Sequence, residues 1–462
     1  MAFVPNHCYV AKNTILSMQK SLLKINEPDY EQCLADLFNG HAAAASPSCI
    51  VQPRTNAELQ QAIRWCFEED RKICIRGGGH SKQAAVDGAV MLDLSKHLHQ
   101  VTLLDDGVHV KVQGGCNMGQ LLRVLKESKR MVPVGTHPTP GFGLLCMGGI
   151  GHIGRSHGLT IDHICELRGW RSNGEPFLLH ADKEDGNAWQ MMRGAAIFLG
   201  IIGEATLKTS TRQPLQVKRT RDPLDRLWWW IQTAESLPKS WSCSLILGTP
   251  PDQNTAAVLA MAVSTMSDDS TTETTDLPHQ WMANVNGQEE LPNFNLPLQN
   301  GESEPEQSMT TSRYERLKTR NYSLSIPKGH GKELSDRLTM LMHQRPNQHC
   351  RIDLQHIGGA IGEIPIEETA YTGRGCEWSL VICGVSPPGC SQDDTDQANQ
   401  WADQAFDLLR PMAQHCYIVE RHPDSPIYQE QLKLAYGPLL EPLKQLKHQW
   451  DPYNRLALLE TQ

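Results

Sequence analysis

The sequence lacks any long apolar run. No stretch of about 18 apolar residues is present, so the sequence predicts no membrane-spanning helix. The segment from Met1 to Lys20 mixes polar and apolar residues and has no uninterrupted hydrophobic stretch. This composition argues against a secretory signal, and we therefore expect a cytoplasmic protein with no membrane partner.

A block of basic residues is also missing. The 462-residue chain carries 43 Lys and Arg against 52 Asp and Glu, which gives a formal net charge of −9. A general nucleic-acid binder needs a basic surface stripe, so we expect no nucleic-acid partner. The length allows two or three domains, and we find no internal repeat.

Cysteine pairs of the CxxC type are absent, although the chain has 14 cysteines. The cysteines are scattered, and most lie inside apolar stretches, as Cys66 and Cys146 do. In a long chain without a signal segment, this pattern is typical of reduced thiols in a core. Cys376, Cys383 and Cys390 lie seven residues apart, which fits no metal geometry, and we predict no metal site.

The hydrophobic pattern interleaves strands and helices, which predicts an α+β fold. Alternation at Val108–Val112 indicates a half-buried strand, and Thr55 followed by Glu58 indicates a capping box that opens a helix. Val134–Gly158 is dense in glycine and proline and predicts irregular structure. Residues 266–312 are polar with few large apolar side chains, and they predict a long exposed insertion.

Three more segments complete this outline. Trp378–Val385 predicts a buried strand, and Asp394–Leu409 predicts a helix. The tail is predicted to be helical from Tyr428 to Trp450 and to stop at Asp451–Pro452, since the residue before a proline avoids the helical conformation.

The sharpest motif is Arg76-Gly-Gly-Gly-His-Ser81, which follows an apolar segment that predicts a buried strand. Three glycines let the backbone approach a ligand closely and turn its N–H groups toward it, which suits a pyrophosphate. No Lys-Ser or Lys-Thr pair follows, so the motif is not a Walker loop. Alternatively, the segment is an ordinary glycine turn and its histidine is only a hydrogen-bonding residue.

Gly149-Ile-Gly-His-Ile-Gly154 matches the dinucleotide fingerprint GxGxxG in spelling only. That fingerprint should follow a strand within a βαβ unit. Here the preceding segment Pro138–Gly143 predicts a loop, so we do not expect a Rossmann domain.

Together these segments resemble the berberine-bridge-enzyme-like branch of the FAD-linked oxidases, whose flavin domain is shared with vanillyl-alcohol oxidase and p-cresol methylhydroxylase. The resemblance runs from about Tyr30 to Leu456, and Arg76–Ser81 is similar to the family's RGGGHS/N phosphate loop. The other similar segments follow in the family's order and are Asp87–Gly88 with Met91–Ser95, Gly148–Asp162, Asp185–Gly203, Tyr436–Gly437 and Asp451–Asn454.

The resemblance implies a two-lobed α+β architecture. A PCMH-type FAD-binding domain would face an antiparallel-sheet substrate domain that helices cover. The implied bounds are an N-terminal helical segment at 1–44, the FAD-binding domain at 45–212, the substrate domain at 213–420 with the insertion 266–312, and a C-terminal return to the FAD-binding domain at 421–462.

It also implies FAD as the cofactor, attached covalently through His80 to the 8-methyl carbon of the flavin. The glycine loop would hold the pyrophosphate, the second loop would line the flavin, and the tail would close the site. The residues implied to bind FAD are Arg76, Gly77, Gly78, Gly79, His80, Ser81, His137, Gly148, Gly149, Gly151, His152, Gly158, Leu159, Asp162, Gly203 and Asn454.

The chain departs from the family pattern at a second attachment point. Many relatives carry a cysteine in a GxCPTVG segment that forms a second link to the flavin. In this chain Gly135–Gly141 corresponds to that segment and His137 stands near the cysteine position, while Cys146 is about ten residues too late. We therefore expect a single link through His80 and no cysteinyl link.

The catalytic base is a second departure. Relatives often place a tyrosine in a GGAYxNY segment, and the similar stretch here, His415–Glu420, puts Glu420 at the position of the last tyrosine. A buried glutamate can serve as a base, because burial raises its pKa toward neutrality. Tyr417 and Tyr371 are the rival candidates, and Glu420 could instead be an ordinary glutamate paired with a cation.

The resemblance predicts an oxidase that takes hydride from an alcohol, sugar or specialised metabolite to flavin N5 and passes electrons to O2. The altered segment Gly194–Leu199 is bulkier than the family's glycine-rich stretch and could change oxygen access. A dehydrogenase or desaturating enzyme with another acceptor is therefore the alternative, and a flavin-binding protein without catalysis is the third. The sequence does not predict the specific substrate or the oligomeric state.

Overall fold

A computed structural model describes residues 20–181, 187–265, 287–288, 316–419, 421–457 and 459. The predicted insertion 266–312 lies outside the described residues, except for a two-residue strand at Gly287–Gln288. In the part of the chain that is described, no helix is long and apolar enough to cross a membrane.

The chain first builds a small four-stranded sheet. In the sheet order β1-β2-β4-β3, β1 pairs antiparallel with β2, and the other pairs are parallel. The side chains of β4 alternate between two cores, since Val90 and Leu92 face α3 whereas Met91 faces α1 and α2. The elements are β1 (Leu22–Leu23), α1 (Pro28–Ala35), α2 (Gly40–Ala44), β2 (Cys49–Val51), α3 (Asn56–Glu68), β3 (Ile73–Arg76) and β4 (Val90–Asp93).

Two of the local predictions concern this part of the chain. The described part of the segment 1–44, expected to be helical, contains the strand β1 as well as α1 and α2. α3 begins where predicted, because Thr55 Oγ1 accepts the N–H of Glu58 at 3.2 Å. The capping box is only half formed, since the Glu58 carboxylate accepts the N–H of Arg54 at 2.9 Å instead of that of Thr55.

A five-stranded antiparallel sheet follows in the order β5-β6-β10-β8-β9. The predicted strand at Val108–Val112 is confirmed as β6. The elements are β5 (Val101–Leu103), β6 (His109–Gln113), α4 (Met118–Glu127), β7 (Arg130–Met131), α5 (Phe142–Met147), α6 (Gly154–His157), β8 (Ile164–Trp170), β9 (Pro176–His180), α7 (Ala188–Met192), α8 (Ala196–Leu199), β10 (Ile201–Lys208) and β11 (Ser210–Thr211), which pairs with β7.

The prediction of irregular structure across Val134–Gly158 was wrong in part, because α5 and α6 lie within it. Phe142, Leu145 and Met147 of α5 are buried in the core of this sheet. Such short helices gain their stability from tertiary packing, and local propensity alone does not reveal them.

A seven-stranded antiparallel sheet forms the second lobe, in the order β15-β12-β14-β13-β17-β18-β16. Three helices, α9, α10 and α12, cover one face of it with a large apolar core. The elements are β12 (Leu215–Pro223), α9 (Leu227–Glu235), β13 (Trp241–Gly248), β14 (Ala257–Thr265), β15 (Gly287–Gln288), β16 (Lys318–Ile326), α10 (Gly331–Gln344), β17 (Arg351–His356), α11 (Ala360–Glu363), β18 (Trp378–Ser386) and α12 (Gln392–Leu409). The predicted α+β class, with an antiparallel sheet covered by helices, is confirmed.

The C-terminal segment returns to the first lobe, which contains the four-stranded and five-stranded sheets. Cys416, Tyr417 and Ile418 already pack in the core of the five-stranded sheet. The single helix predicted over Tyr428–Trp450 is two helices, α13 (Tyr428–Tyr436) and α14 (Leu440–Trp450), because Gly437 has a φ of 49° and Pro438 follows.

The cysteines that the structure describes carry free thiols, and all except Cys165 and Cys390 are buried. Burial raises the pKa of core thiols such as Cys74 and Cys416 to about 12. These thiols stay protonated at neutral pH and act as small apolar side chains.

Candidate active site

The glycine loop begins where β3 ends, at Arg76. A Cβ on Gly78 would overlap the backbone of Gly141 and the carbonyl of Thr139, so the two loops touch backbone to backbone. Gly79 has a φ of 73°, which favours glycine. Glycine is therefore required here both for the turn and for the close approach of the loop at 139–141.

This close approach brings a partner to His80. The His80 imidazole lies in a hydrogen bond of 2.5 Å between its Nε2 and Thr139 Oγ1, and it stacks on Phe38 with ring centroids 4.0 Å apart. Burial, with a smaller contribution from His137, lowers the pKa of His80 to about 3. His80 is thus a neutral, fixed imidazole at physiological pH.

Arg76 has other contacts. Its guanidinium donates to the carbonyl of Cys33 at 2.9 Å and lies 3.7 Å from the Asp93 carboxylate. The side chain therefore fastens α1 to the edge of the sheet from which the glycine loop starts.

A cavity of about 570 Å³ opens beside the glycine loop, within the size range of ligand sites. Five consecutive predicted FAD ligands, Gly77 to Ser81, line this cavity, and so does Asn454 from the C-terminal tail. Apolar side chains such as Ile75 and Leu144, and the cations Lys82 and Arg421, complete the lining. FAD needs apolar walls around its flat rings, and backbone amides and cations around its diphosphate. The cavity lining supplies both, so these residues fit FAD.

The second glycine stretch, Gly149–Gly154, packs closely against neighbouring segments of the chain. A Cβ on Gly149 would overlap the Thr160 side chain, and a Cβ on Gly151 would overlap the carbonyl of Val134. The Gly149 N–H donates to the phenol oxygen of Tyr417 at 2.9 Å. These glycines let the loop fold against its neighbours, which explains a GxGxxG spelling outside a Rossmann domain.

The end of this stretch holds the two lobes together. Asp162 accepts the N–H of Leu159 and forms an ion pair with Arg374, with an N–O distance of 2.6 Å. A Cβ on Gly158 would lie 2.9 Å from the same carboxylate. His152, buried, accepts at its carbonyl from Ser242 Oγ of β13 at 2.6 Å.

The remaining predicted ligands lie apart from the lining. The carbonyl of Gly203 accepts the N–H of Gly114 at 2.8 Å inside the five-stranded sheet. Gly148 packs against the Tyr417 ring. His137 lies beside the lining, with its ring centroid 5.7 Å from that of His80.

Two of the three candidate bases form a buried aromatic cluster. The Tyr371 ring lies 4.6 Å from His415 and 5.9 Å from Tyr417 between centroids. Burial raises the pKa of both phenols above the ordinary value for tyrosine and lowers that of His415 to about 3. Glu420 lies outside the described residues, while its chain neighbours Val419 and Arg421 line the cavity.

The face of the seven-stranded sheet opposite the helices carries polar side chains. Gln355, Ser379 and Ser325 are register neighbours across β17, β18 and β16. In the next row, Asp353 is 6 % exposed and lies 3.2 Å from Arg351. Burial raises the pKa of Asp353, and Arg351 opposes that shift.

Sequence reasoning missed several of these groups, including Thr139, Arg421 and Asp353. The alternation Arg-Ile-Asp-Leu-Gln from Arg351 to Gln355 is a period-two signal for β17, with its polar residues on the face toward the other lobe. Thr139 had no such signal, because only the contact between Gly78 and Gly141 brings it to His80.

Comparisons with known proteins agree with this arrangement. The FAD binding domain family matches residues 47–179. An FAD-linked oxidoreductase of Dictyostelium discoideum is 23 % identical over 88 % of this chain and 87 % of its own length. Berberine bridge enzyme-like 12 of Arabidopsis thaliana is 30 % identical over 46 % of this chain and 42 % of its own length.

The fold is also that of a solved structure. The grass pollen allergen Phl p 4, described as having glucose dehydrogenase activity, superposes with a TM-score of 0.80 over 98 % of this chain and 99 % of its own, at 15 % identity. A variant of that allergen with one isoleucine replaced by valine is described as a glucose oxidase.

Proposed function

This chain belongs to the berberine-bridge-enzyme-like family of FAD-linked oxidoreductases, and we propose that it is an oxidase that carries FAD on His80 and oxidises a small hydroxylated molecule. Bound FAD would supply the redox chemistry, since its ring accepts a hydride at N5 and can return two electrons to O2. The observation that carries the proposal is a cavity that the glycine loop, His80 and Arg421 line together.

The chain's own residues would bind and orient the cofactor. The glycine loop offers its backbone, and Lys82 and Arg421 supply positive charge to a diphosphate. Tyr417 holds the second loop by its hydrogen bond to the Gly149 N–H. The raised pKa of Tyr417 keeps the phenol protonated, which favours a structural role over that of a base.

A substrate with hydroxyl groups suits the polar face of the sheet. Ser379 is fully buried, and its hydroxyl has no hydrogen-bond partner among the described residues. Gln355 beside it adds an amide, and Asp353 adds a carboxylate that burial pushes toward its neutral form. Such a set of donors and acceptors supports an alcohol or sugar as the substrate class.

Glu420 is the proposed base that takes the substrate's hydroxyl proton. Its support is the position of Val419 and Arg421 at the cavity, together with the engaged phenol of Tyr417. The ionised form of a glutamate carboxyl group is the form that accepts a proton.

One observation favours the alternative of a dehydrogenase. Ala196 and Ile197 of α8 line the cavity, in the segment where the resembled family is rich in glycine. At these two positions glycine would leave more open space beside the cavity than alanine and isoleucine do, and less open space would hinder the approach of O2.

The test begins with acid precipitation of the purified protein, in which yellow colour retained in the pellet would support covalent FAD. The protein is then mixed with glucose, cellobiose and vanillyl alcohol in air, and H2O2 is measured. Peroxide formation supports the oxidase. Bleaching that persists in air, with turnover restored by an artificial acceptor, would replace it with a dehydrogenase. A flavin that only dithionite bleaches would point to a protein without catalysis.

A further inference from the structure

Three side chains form a continuous hydrogen-bonded chain beside the cavity. His80 Nε2 lies 2.5 Å from Thr139 Oγ1, and the same oxygen lies 2.7 Å from His137 Nδ1. The backbone N–H of Thr139 also reaches His137 Nδ1, at 3.2 Å. We call His80, Thr139 and His137 together the relay, and all three residues are half-buried.

The protons of the relay can be placed from these contacts. A backbone N–H can only donate, so His137 Nδ1 is an acceptor and carries no proton. The Thr139 hydroxyl must then donate to that nitrogen, since a contact of 2.7 Å needs a proton between the two atoms. Thr139 Oγ1 is left to accept, and the proton it accepts comes from His80 Nε2.

His80 is therefore the tautomer with a proton on Nε2 and a lone pair on Nδ1. Among the residues that the structure describes, no hydrogen bond engages this Nδ1. The stack on Phe38, with an angle of 14° between the rings, fixes the plane of the imidazole. The low pKa of His80 keeps the ring neutral, so the lone pair is available to form a bond.

We propose that Thr139 and His137 are positioning residues that prepare His80 for its attachment to FAD, by holding Nδ1 as the nucleophile and by removing the Nε2 proton. The inference rests on the covalent link proposed above. Thr139 would receive the proton from His80 as it passes its own to His137.

The atoms and electrons of the attachment balance with O2 as the oxidant. A bond forms between His80 Nδ1 and the 8-methyl carbon of FAD, one C–H bond of that methyl group breaks, and the Nε2 proton leaves through the relay. Two electrons enter the flavin ring together with two protons, one from the methyl group and one from His80. O2 then takes up the two electrons and the two protons and becomes H2O2. The net change is loss of one hydrogen from the methyl group and one from His80.

The test follows attachment, not turnover. Full-length protein prepared with little bound flavin is incubated with FAD in air, and acid-stable flavin and the intact mass of the chain are recorded over time. Thr139→Val, which keeps the shape and removes the hydroxyl, should attach FAD at least about 100-fold more slowly, as expected for loss of a positioned proton carrier. Thr139→Ser should restore the rate, and His137→Leu should resemble Thr139→Val.

Two further readouts separate a relay from a merely structural role. Non-covalent FAD binding, measured by quenching of flavin fluorescence, should be similar in Thr139→Val and wild type. Attachment in wild type should slow in D2O, and Thr139→Val should lose that sensitivity. A rate in Thr139→Val equal to that of wild type overturns the relay and leaves the covalent link standing.

The failure of the underlying proposal has a different signature. Wild type that acquires no acid-stable flavin overturns the link through His80, and the relay with it. Acid-stable flavin in His80→Ala would assign the anchor to another residue. Slow attachment in both Thr139 variants, together with weaker FAD binding, would show that Thr139 only packs the loop and would overturn the relay alone.

Discussion

By the resemblance, His137 lies near the position at which many members of the family have a cysteine, and its Nδ1 accepts a hydrogen bond from Thr139. Cys146, the nearest cysteine in the chain, is buried, and burial raises the pKa of its thiol beyond the ordinary range. A protonated thiol is a poor nucleophile. The expected single attachment through His80 stays a prediction that rests on these two side chains.

Substitution of Glu420 is the most direct test of the proposed catalytic base. Glu420→Gln keeps the size of the side chain and removes the proton-accepting carboxylate. We expect turnover of an identified substrate to fall about 100-fold or more, since a positioned general base contributes roughly that factor. FAD content should remain that of the wild type, because the glycine loop and His80 are unchanged.

The matched control is Glu430→Gln. Glu430 lies in α13, forms an ion pair with Arg410 and is 43 % exposed, so its loss should leave turnover within about twofold. Steady-state turnover rates of both variants test whether Glu420 is the base. If Glu420→Gln turns over like the control, the base has to be sought among the tyrosines or on the face of the sheet that carries Asp353.

At the scale of elements, the glycine loop and the loop at 139–141 act as one unit. Gly78→Ala places a methyl group against the backbone of Gly141, so the two loops must move apart. We expect a loss of about 1–3 kcal/mol in the free energy of unfolding, as for overpacked cores, and a lower FAD content per chain. Urea unfolding and the ratio of flavin to protein absorbance measure the two effects.

Gly375→Ala controls for the change of residue type alone. A Cβ on Gly375 would have no atom within 4 Å, so this variant should keep both stability and FAD content. Stability and flavin content in Gly78→Ala equal to those of the control would mean that the two loops are not in close contact.

At the scale of the whole molecule, Arg155 connects the lobes. It extends from α6 in the first lobe and donates to three backbone carbonyls and to Glu377 in the second lobe, the carboxylate at 2.7 Å. Removal of one partner of a buried ion pair leaves the other charge uncompensated. Arg155→Leu should therefore lower the free energy of unfolding by about 3–5 kcal/mol.

Lys239→Met provides the comparison for Arg155. Lys239 pairs with Glu363 at 2.7 Å, but both side chains are more than half exposed, so its loss should change stability by less than about 1 kcal/mol. Chemical denaturation of the two variants gives the values. Equal and small effects would show that the interface does not depend on Arg155.

The sequence by itself determined many of the strands and helices. Hydrophobic periodicity located strands such as β6 and β18, and the glycine loop indicated a pyrophosphate, because those signals lie within a few consecutive residues. FAD itself was implied by the resemblance of several segments to one family. The cytoplasmic location and the role of Glu420 stay predictions, the latter on a residue outside the described part of the chain.

Only the tertiary structure decided which side chains meet. Thr139 and His80 are 59 positions apart, and Tyr417 and Gly149 are 268 apart, so no local pattern connects either pair. The short helices α5 and α6 also depend on packing from distant segments, which is why the region around them was predicted to be irregular. Contacts of this kind are set by the burial of whole faces and by backbone approach at glycine, which a one-dimensional pattern does not contain.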